Sequence, residues 1–299
     1  MVAAASLLSL FALLAAFSFY AAHRIVTGNG AVPLTVRPED FGLAYEAVTC
    51  RTVDDIRLKG WFVPASAPSS RTLLLCHGWS TNKGEILKFT YPLASRGFNL
   101  LYFDSRSCGE SEGTMLSIGY LEHRDFDAAV AFLKAHRPSD VYAVFGLSMG
   151  AMISFCGLTR HEGFKAAALE SLIPSHDLAV RRYIRYAYGI PYFPLIPMIL
   201  FWMRLKLGGD PEAACPKQFA AKFQTPLLAI SGGQDLLNPP EIAETLLGRL
   251  SGPKEHWVIP GAGHTLCAEV AGRQAYAERL ERFFLALMPE RAPLPASST

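Results

Sequence analysis

Charge is scarce in this chain and nearly balanced. Charged side chains make up 18% of its 299 residues, and 28 basic against 26 acidic groups leave a formal +2 at neutral pH. Without a clustered basic excess, a nucleic-acid partner is not expected. Cysteine is sparse too. Cys50, Cys76, Cys108, Cys156, Cys215 and Cys267 form no C-x-x-C pair and no dense framework. That spacing predicts free, buried thiols rather than a disulfide scaffold or a zinc site. There is no internal repeat, and 51% apolar content argues against disorder.

A single long apolar run opens the chain, and no Lys or Arg precedes it. From Val2 to Ala22 only Ser6, Ser9 and Ser18 interrupt it, and about 20 apolar residues span a bilayer. The basic start of a secretory signal is missing, and Phe19-Tyr20-Ala21-Ala22-His23-Arg24 is a poor cleavage site. We therefore read residues 1–24 as an uncleaved, single-pass membrane anchor. Arg24 and Arg37 follow the run, which favours a cytoplasmic side for what comes after it. A connector over 25–44, one large domain over 45–288 and a tail over 289–299 complete the division, since open α/β folds commonly exceed 200 residues as one domain.

Within 45–288, apolar runs alternate with helix-length segments. Tyr45–Thr52 and Ile56–Pro64 predict an opening hairpin around Asp54-Asp55. Thr72–Cys76, Phe98–Phe103, Val141–Phe145, Ala166–Leu169 and Pro226–Ser231 are wholly or largely apolar, as strands buried on both faces should be. His256–Ile259 makes a last strand. Helices are expected over Lys83–Ser95, Gly119–His136, Ser148–Arg160 (amphipathic), Pro239–Leu250 and Ala268–Met288. The alternation predicts an α/β fold, a mostly parallel sheet with helices on both faces. Chemistry in such sheets sits past the carboxyl ends of the strands.

Just past the VYAVF run stands Gly146-Leu147-Ser148-Met149-Gly150. A sharp strand-to-helix turn lifts a serine oxygen clear of a sheet, flanking glycines relieve crowding there, and the helix N-terminus favours developing negative charge. The pattern alone decides little, because G-x-S-x-G arises by chance about 0.1 times in a chain with 24 glycines. A second copy does occur, Gly109-Glu110-Ser111-Glu112-Gly113. It lacks a preceding strand and a following helix, and its two carboxylates oppose an alkoxide. Ser148 is the candidate nucleophile and Ser111 a loop residue.

On this kind of sheet the acid and then the base follow the serine in chain order. His264 lies in the Pro260–His264 turn after the last strand and is the candidate base, ahead of His256 and His176. Asp235 ends Ser231-Gly232-Gly233-Gln234-Asp235 and is the candidate acid, with Glu170 as runner-up. An oxyanion needs two preorganised N–H donors, for which we select the backbones of Met149 and Trp79. His77, beside the latter, is expected to be structural, and the Asp104–Arg106 pair to hold its loop in shape. No metal or organic cofactor is implied.

The segments His77-Gly78-Trp79, D-x-R-x-x-G-x-S over Asp104–Ser111, GLSMG, GGQD and PGAGH, in this order, resemble the serine hydrolases of the α/β-hydrolase superfamily over Tyr45–Met288. The resemblance implies an eight-stranded sheet, a nucleophile elbow at Ser148, Asp235 and His264 as acid and base, Trp79 and Met149 as oxyanion donors, and a cap insert. Ser107-Cys108 departs from the Gly-His of many relatives. A serine at the elbow argues against the haloalkane-dehalogenase and epoxide-hydrolase branches.

The insert over 174–222 carries seven basic side chains against three acidic ones, together with eight Tyr, Phe and Trp residues. Its apolar run Ile190–Met203 is short and broken by Pro191, Pro194 and Pro197, so it predicts a helical lid rather than a second span. An apolar lid with a basic fringe suits an anionic membrane surface and acyl substrates. The sequence thus predicts hydrolysis of carboxylic esters, small or lipid-like, through an acyl-enzyme. Thioesterase or peptidase action with the same triad, and a silent binding module of the same fold, are the alternatives.

Overall fold

The computed structural model describes residues 2–28, 32–138 and 140–289, so the expected tail lies outside them beyond Pro289. Eight strands form one sheet: β1 (Glu46–Arg51), β2 (Arg57–Val63), β3 (Arg71–Cys76), β4 (Asn99–Phe103), β5 (Val141–Leu147), β6 (Phe164–Glu170), β7 (Leu227–Gly232) and β8 (Lys254–Ile259). Their order is β1-β2-β4-β3-β5-β6-β7-β8, with β2 antiparallel to both neighbours and β3 to β8 parallel. The apolar runs are explained by period-two alternation. Leu73 and Leu75 enter one core while Leu74 and Cys76 enter the other, and Leu100 and Tyr102 part from Leu101 and Phe103 in the same way.

Ten α-helices are described: α1 (Val2–Thr27), α2 (Lys83–Thr90), α3 (His123–His136), α4 (Met149–Leu158), α5 (His176–Tyr188), α6 (Leu195–Leu207), α7 (Pro216–Phe219), α8 (Pro240–Leu247), α9 (Cys267–Ala271) and α10 (Arg273–Leu287). The core under α3, α4 and the α5–α6 pair lies on one face, and that under α2, α9 and α10 on the other. The insert between β6 and β7 holds α5, α6 and α7. All six cysteines are free and buried.

Several elements depart from expectation for local reasons. The helix expected from Gly119 begins only at His123, because the Glu122 carboxylate accepts hydrogen bonds from Ser117 N, Ser117 Oγ and Gly119 N at 2.6–2.8 Å and wraps 117–121 around itself. The helix expected over Ala268–Met288 is two, broken at Gly272 with φ 83°. Past Thr90, α2 tightens into a 3₁₀ turn over Tyr91–Arg96, where Pro92 has no N–H to continue it. Nor is α4 amphipathic: all ten of its residues are buried, between the sheet and α3.

The burial of α4 depends on two missing side chains. A Cβ at Gly150 would overlap the carbonyls of Cys76 and His77, and one at Gly146 would lie 2.8 Å from Ala151 Cα. These obstacles are backbone and cannot swing aside. We expect Gly150→Ala to lose at least about 1–3 kcal/mol, the usual penalty for overpacking, as a clear fall in Tm by calorimetry. An unchanged Tm would mean that α4 does not sit this close to β3.

Candidate active site

The turn between β5 and α4 puts Ser148 in the left-handed region, at φ 53° and ψ −111°. Strained backbone of this kind survives only where its surroundings over-determine it. Here the Ser148 N–H donates to Glu170 O at 2.9 Å, the Met152 N–H donates to Ser148 O at 3.0 Å, and the glycines let α4 press on β3. Ser148 Oγ lies 2.9 Å from His264 Nε2.

His264 arrives on the Pro260–His264 turn beyond β8. That turn is tied to the loop beyond β7 by Gln234 N–H to Ala262 O at 2.8 Å and Gly233 N–H to Ile259 O at 2.9 Å. The same loop carries Asp235, whose Oδ2 is 2.7 Å from His264 Nδ1. With Nδ1–H donating to the carboxylate, Nε2 presents its lone pair to the serine hydroxyl. Asp235 is nearly fully buried, which alone would push its carboxyl up. Hydrogen bonds from His264, the Asn238 N–H and Ser171 Oγ outweigh that and hold it below the usual carboxylate range. The structure thus brings together Ser148, Asp235 and His264.

It does not bring the other candidates there. Glu170 accepts from Tyr276 OH at 2.5 Å and Cys267 N at 3.2 Å behind the elbow, and burial raises its carboxyl. His256 meets Ser231 Oγ at 2.9 Å, and His176 is buried at the start of α5. Ser111 Oγ donates to Asp104 O and accepts from Lys59 N, stapling its loop. The expected Asp104–Arg106 pair does not form. Asp104 instead pairs with Lys83 at 2.5 Å, both fully buried, and Arg106 pairs with Asp54 and Asp125. Lys83, Asp104, Arg106 and Asp125 are too deeply placed to stay unpaired, and the partners come from other segments that meet only in the fold.

His77 is fully buried. Its Nδ1–H donates to Gly78 O at 2.7 Å and its Nε2 accepts from Ser105 N at 2.9 Å, so burial favours the neutral ring and lowers its pKa. It thereby shapes the loop that carries Trp79. Gly78 of that loop approaches Ser148 so closely that a Cβ there would stand 3.7 Å from the serine Cβ. Met149 opens α4 directly after Ser148.

Ser171 was missed by sequence reasoning. Its Oγ donates to Asp235 Oδ2 at 3.0 Å and accepts from Thr265 N at 3.3 Å, so one hydroxyl touches both the acid and the base loop. The only sequence signal was its place at the end of β6, where Glu170 drew attention instead. Glu170 is the last residue of β6 and turns behind the elbow, whereas Ser171 leaves the strand at φ 54° and points towards Asp235. Asn238 was missed as well; its N–H donates to Asp235 Oδ1 at 2.8 Å while its side chain anchors on Leu172 O.

Ser148 and His264 open into a cavity of about 560 Å³. Towards the insert it is apolar, with Trp79, Ile118, Ile173 and Tyr183. Towards α2 and α10 it meets the ion pairs Lys88–Glu85 and Arg273–Glu269. Elsewhere His176, Asp177 and Glu212 bring donor atoms within 4.8 Å of one another, but Arg204 and Lys217 already take the carboxylates.

Two outcomes follow from this geometry. Removing the hydroxyl in Ser171→Ala takes away a charged hydrogen bond, so kcat should fall about tenfold, at roughly 1.4 kcal/mol per decade, with a Tm near that of the parent; an unchanged kcat contradicts the positioning role. Because the folded pKa of His77 lies below its unfolded value of 6.5, the unfolded chain binds the proton first and stability drops as pH falls below about 6.5. Thermal melts at pH 7.5 and 5.5 should show a smaller drop for His77→Gln than for the parent.

A family model described as "Serine aminopeptidase, S33" matches residues 67–184, which include the Trp79 loop and the elbow but neither Asp235 nor His264. The Mycobacterium tuberculosis (strain ATCC 25618 / H37Rv) protein Rv2307c is 30% identical over 220 residues, 73% of this chain and 71% of that protein. YqkD of Bacillus subtilis (strain 168) is 27% identical over 232 residues, 76% of this chain and 74% of its own length. Among solved structures, the Pyrococcus furiosus esterase Pf2001 superposes with a TM-score of 0.73 at 25% identity, across 88% of this chain and 98% of that one. Sheet order, elbow and likeness agree: the chain belongs to the α/β-hydrolase superfamily and is a hydrolase of that type.

Proposed function

We propose that this hydrolase cleaves carboxylic esters with apolar acyl groups through an acyl-enzyme, held at a membrane by α1. The observation that carries the reading is the hydrogen-bonded chain Ser148 Oγ, His264 and Asp235, at 2.9 and 2.7 Å. His264 Nε2 takes the serine proton as Oγ bonds the ester carbonyl carbon, and returns it to the leaving alcohol as the C–O bond breaks. Water, deprotonated by the same imidazole, then frees the acid and restores Ser148. Asp235 holds the ring and balances the imidazolium. The backbone N–H groups of Met149 and Trp79 receive the oxyanion, assisted by the N-terminal dipole of α4.

The apolar side of the cavity favours an acyl chain over a charged peptide terminus. Glu85 and Glu269, which could receive a substrate ammonium, are already paired. The matched family description is the observation that supports peptide hydrolysis as a second reading. Helix α1 is long and apolar enough to cross a bilayer, and the basic residues that follow favour a cytoplasmic catalytic domain.

A fluorophosphonate probe should label the protein, lose the label in Ser148→Ala and keep it in Ser111→Ala. Turnover of p-nitrophenyl butyrate should fall at least about 10⁴-fold in Ser148→Ala and exceed that of aminoacyl p-nitroanilides in the parent. Labelling that survives in Ser148→Ala overturns the nucleophile, and a faster anilide reaction promotes the peptidase reading. No turnover by a folded protein promotes a silent binding module.

A further inference from the structure

A second cavity, of about 300 Å³, lies beside the first. It opens between Phe17, Tyr20 and Ile25 of α1 and Tyr188, Ile190 and Ile199 of the insert. Trp79 and Tyr183 line both cavities. Their rings meet edge to face with centroids 5.4 Å apart, so the partition is one pair of side chains. At it the Trp79 indole Nε1–H is buried with no hydrogen-bond partner among the described residues.

Helix α1 has two distinct parts. Leu7, Leu8, Leu10, Phe11 and Leu13 are exposed, whereas Ser18, Ala22, Ile25 and Val26 are buried against the domain. The second part is held by Trp202 Nε1–H donating to Ser18 Oγ at 3.2 Å, by the Phe19–Trp202 edge contact and by the Lys206 ammonium 5.0 Å over Phe19. Val2–Phe17 rises about 24 Å at 1.5 Å per residue, less than the roughly 30 Å of a hydrocarbon core. For α1 to span, the next turn must also lie within the core, which places Phe17, Tyr20 and Ala21 of the second cavity inside it and Arg24 and Ile25, which also line that cavity, at its boundary. Phe201 and Leu205, one turn apart on α6, are 58% and 64% exposed, as suits a helix lying at the lipid boundary.

Resting on the ester-hydrolase reading and on α1 as an anchor, we propose that the α1–insert cleft is a lateral port through which the acyl chain of a membrane-borne ester passes from the bilayer, between Trp79 and Tyr183, to Ser148. The ester group then stops at the nucleophile while the chain trails back along α1. The leaving alcohol occupies the side near Lys88 and Arg273. The substrate class is therefore a long-chain ester drawn directly from the membrane.

The test uses the full chain in lipid nanodiscs and alkyl fluorophosphonates that carry a terminal diazirine on a two-carbon or twelve-carbon chain. Ser148 Oγ bonds phosphorus, fluoride leaves, and light cross-links the chain end. The long probe should give Ser148 adducts cross-linked to residues 17–25 or 188–199, and the short probe should not. Adducts whose cross-links fall only on 85–89 or 266–273 overturn the port and leave the hydrolase intact; absence of any Ser148 adduct overturns the hydrolase reading, and the port with it. As an independent measurement, Ala21→Trp, which narrows the cleft, should lower the ratio of kcat/KM for dodecanoate over butyrate esters about tenfold, and an unchanged ratio contradicts the port.

Discussion

Helix α4 can approach the end of β3 only because position 150 carries no Cβ, and it can start straight after β5 only because position 146 carries none. The carbonyls of Cys76 and His77 stand where a Cβ of residue 150 would be, and backbone does not yield. From that contact the strained Ser148, the loop of Gly78 and Trp79 beside it and the cavity above it all take their positions. Strain recurs around the site: Ser80, Ser171 and Thr265 also have positive φ, between 54° and 60°. Such conformations cost of order 1–3 kcal/mol each and persist where hydrogen bonds over-determine them, as the Ser171 contacts to Asp235 and Thr265 do.

Three loops beyond parallel strands meet at this rim because all the parallel strands end there. The convergence is topological rather than local. The loops beyond β7 and β8 are bonded to one another through Gln234 and Ala262, so the carboxylate and the imidazole arrive together. Ser171 then ties both to β6. Buried ion pairs behind the rim, Lys83 with Asp104 and Arg106 with Asp54 and Asp125, hold the neighbouring loop, in which Ser111 is a staple.

Helix α1 is part of the domain's packing. Its last turns contribute to the same core as α6, so the orientation of the domain relative to α1 is set by packing. The helix runs on from the apolar stretch into the domain and meets the insert at Trp202 and Lys206, while Trp79 and Tyr183 line both the cavity beside it and the cavity at Ser148.

Much of this was legible in one dimension. The strands could be read because burial on both faces demands unbroken apolar runs such as Thr72–Cys76. The choice of Ser148 over Ser111 followed from which serine stood between a strand and a helix, and Asp235 and His264 from their places past later strands. Tertiary structure decided what depends on distant partners. It paired Asp104 with Lys83 instead of Arg106, turned Glu170 behind the elbow and set Ser171 against the acid. It also folded α1 onto α6. Local patterns report which face a residue prefers, whereas a buried charge or hydroxyl takes whichever partner the chain brings within about 3 Å, and that is settled only when the whole sheet has assembled.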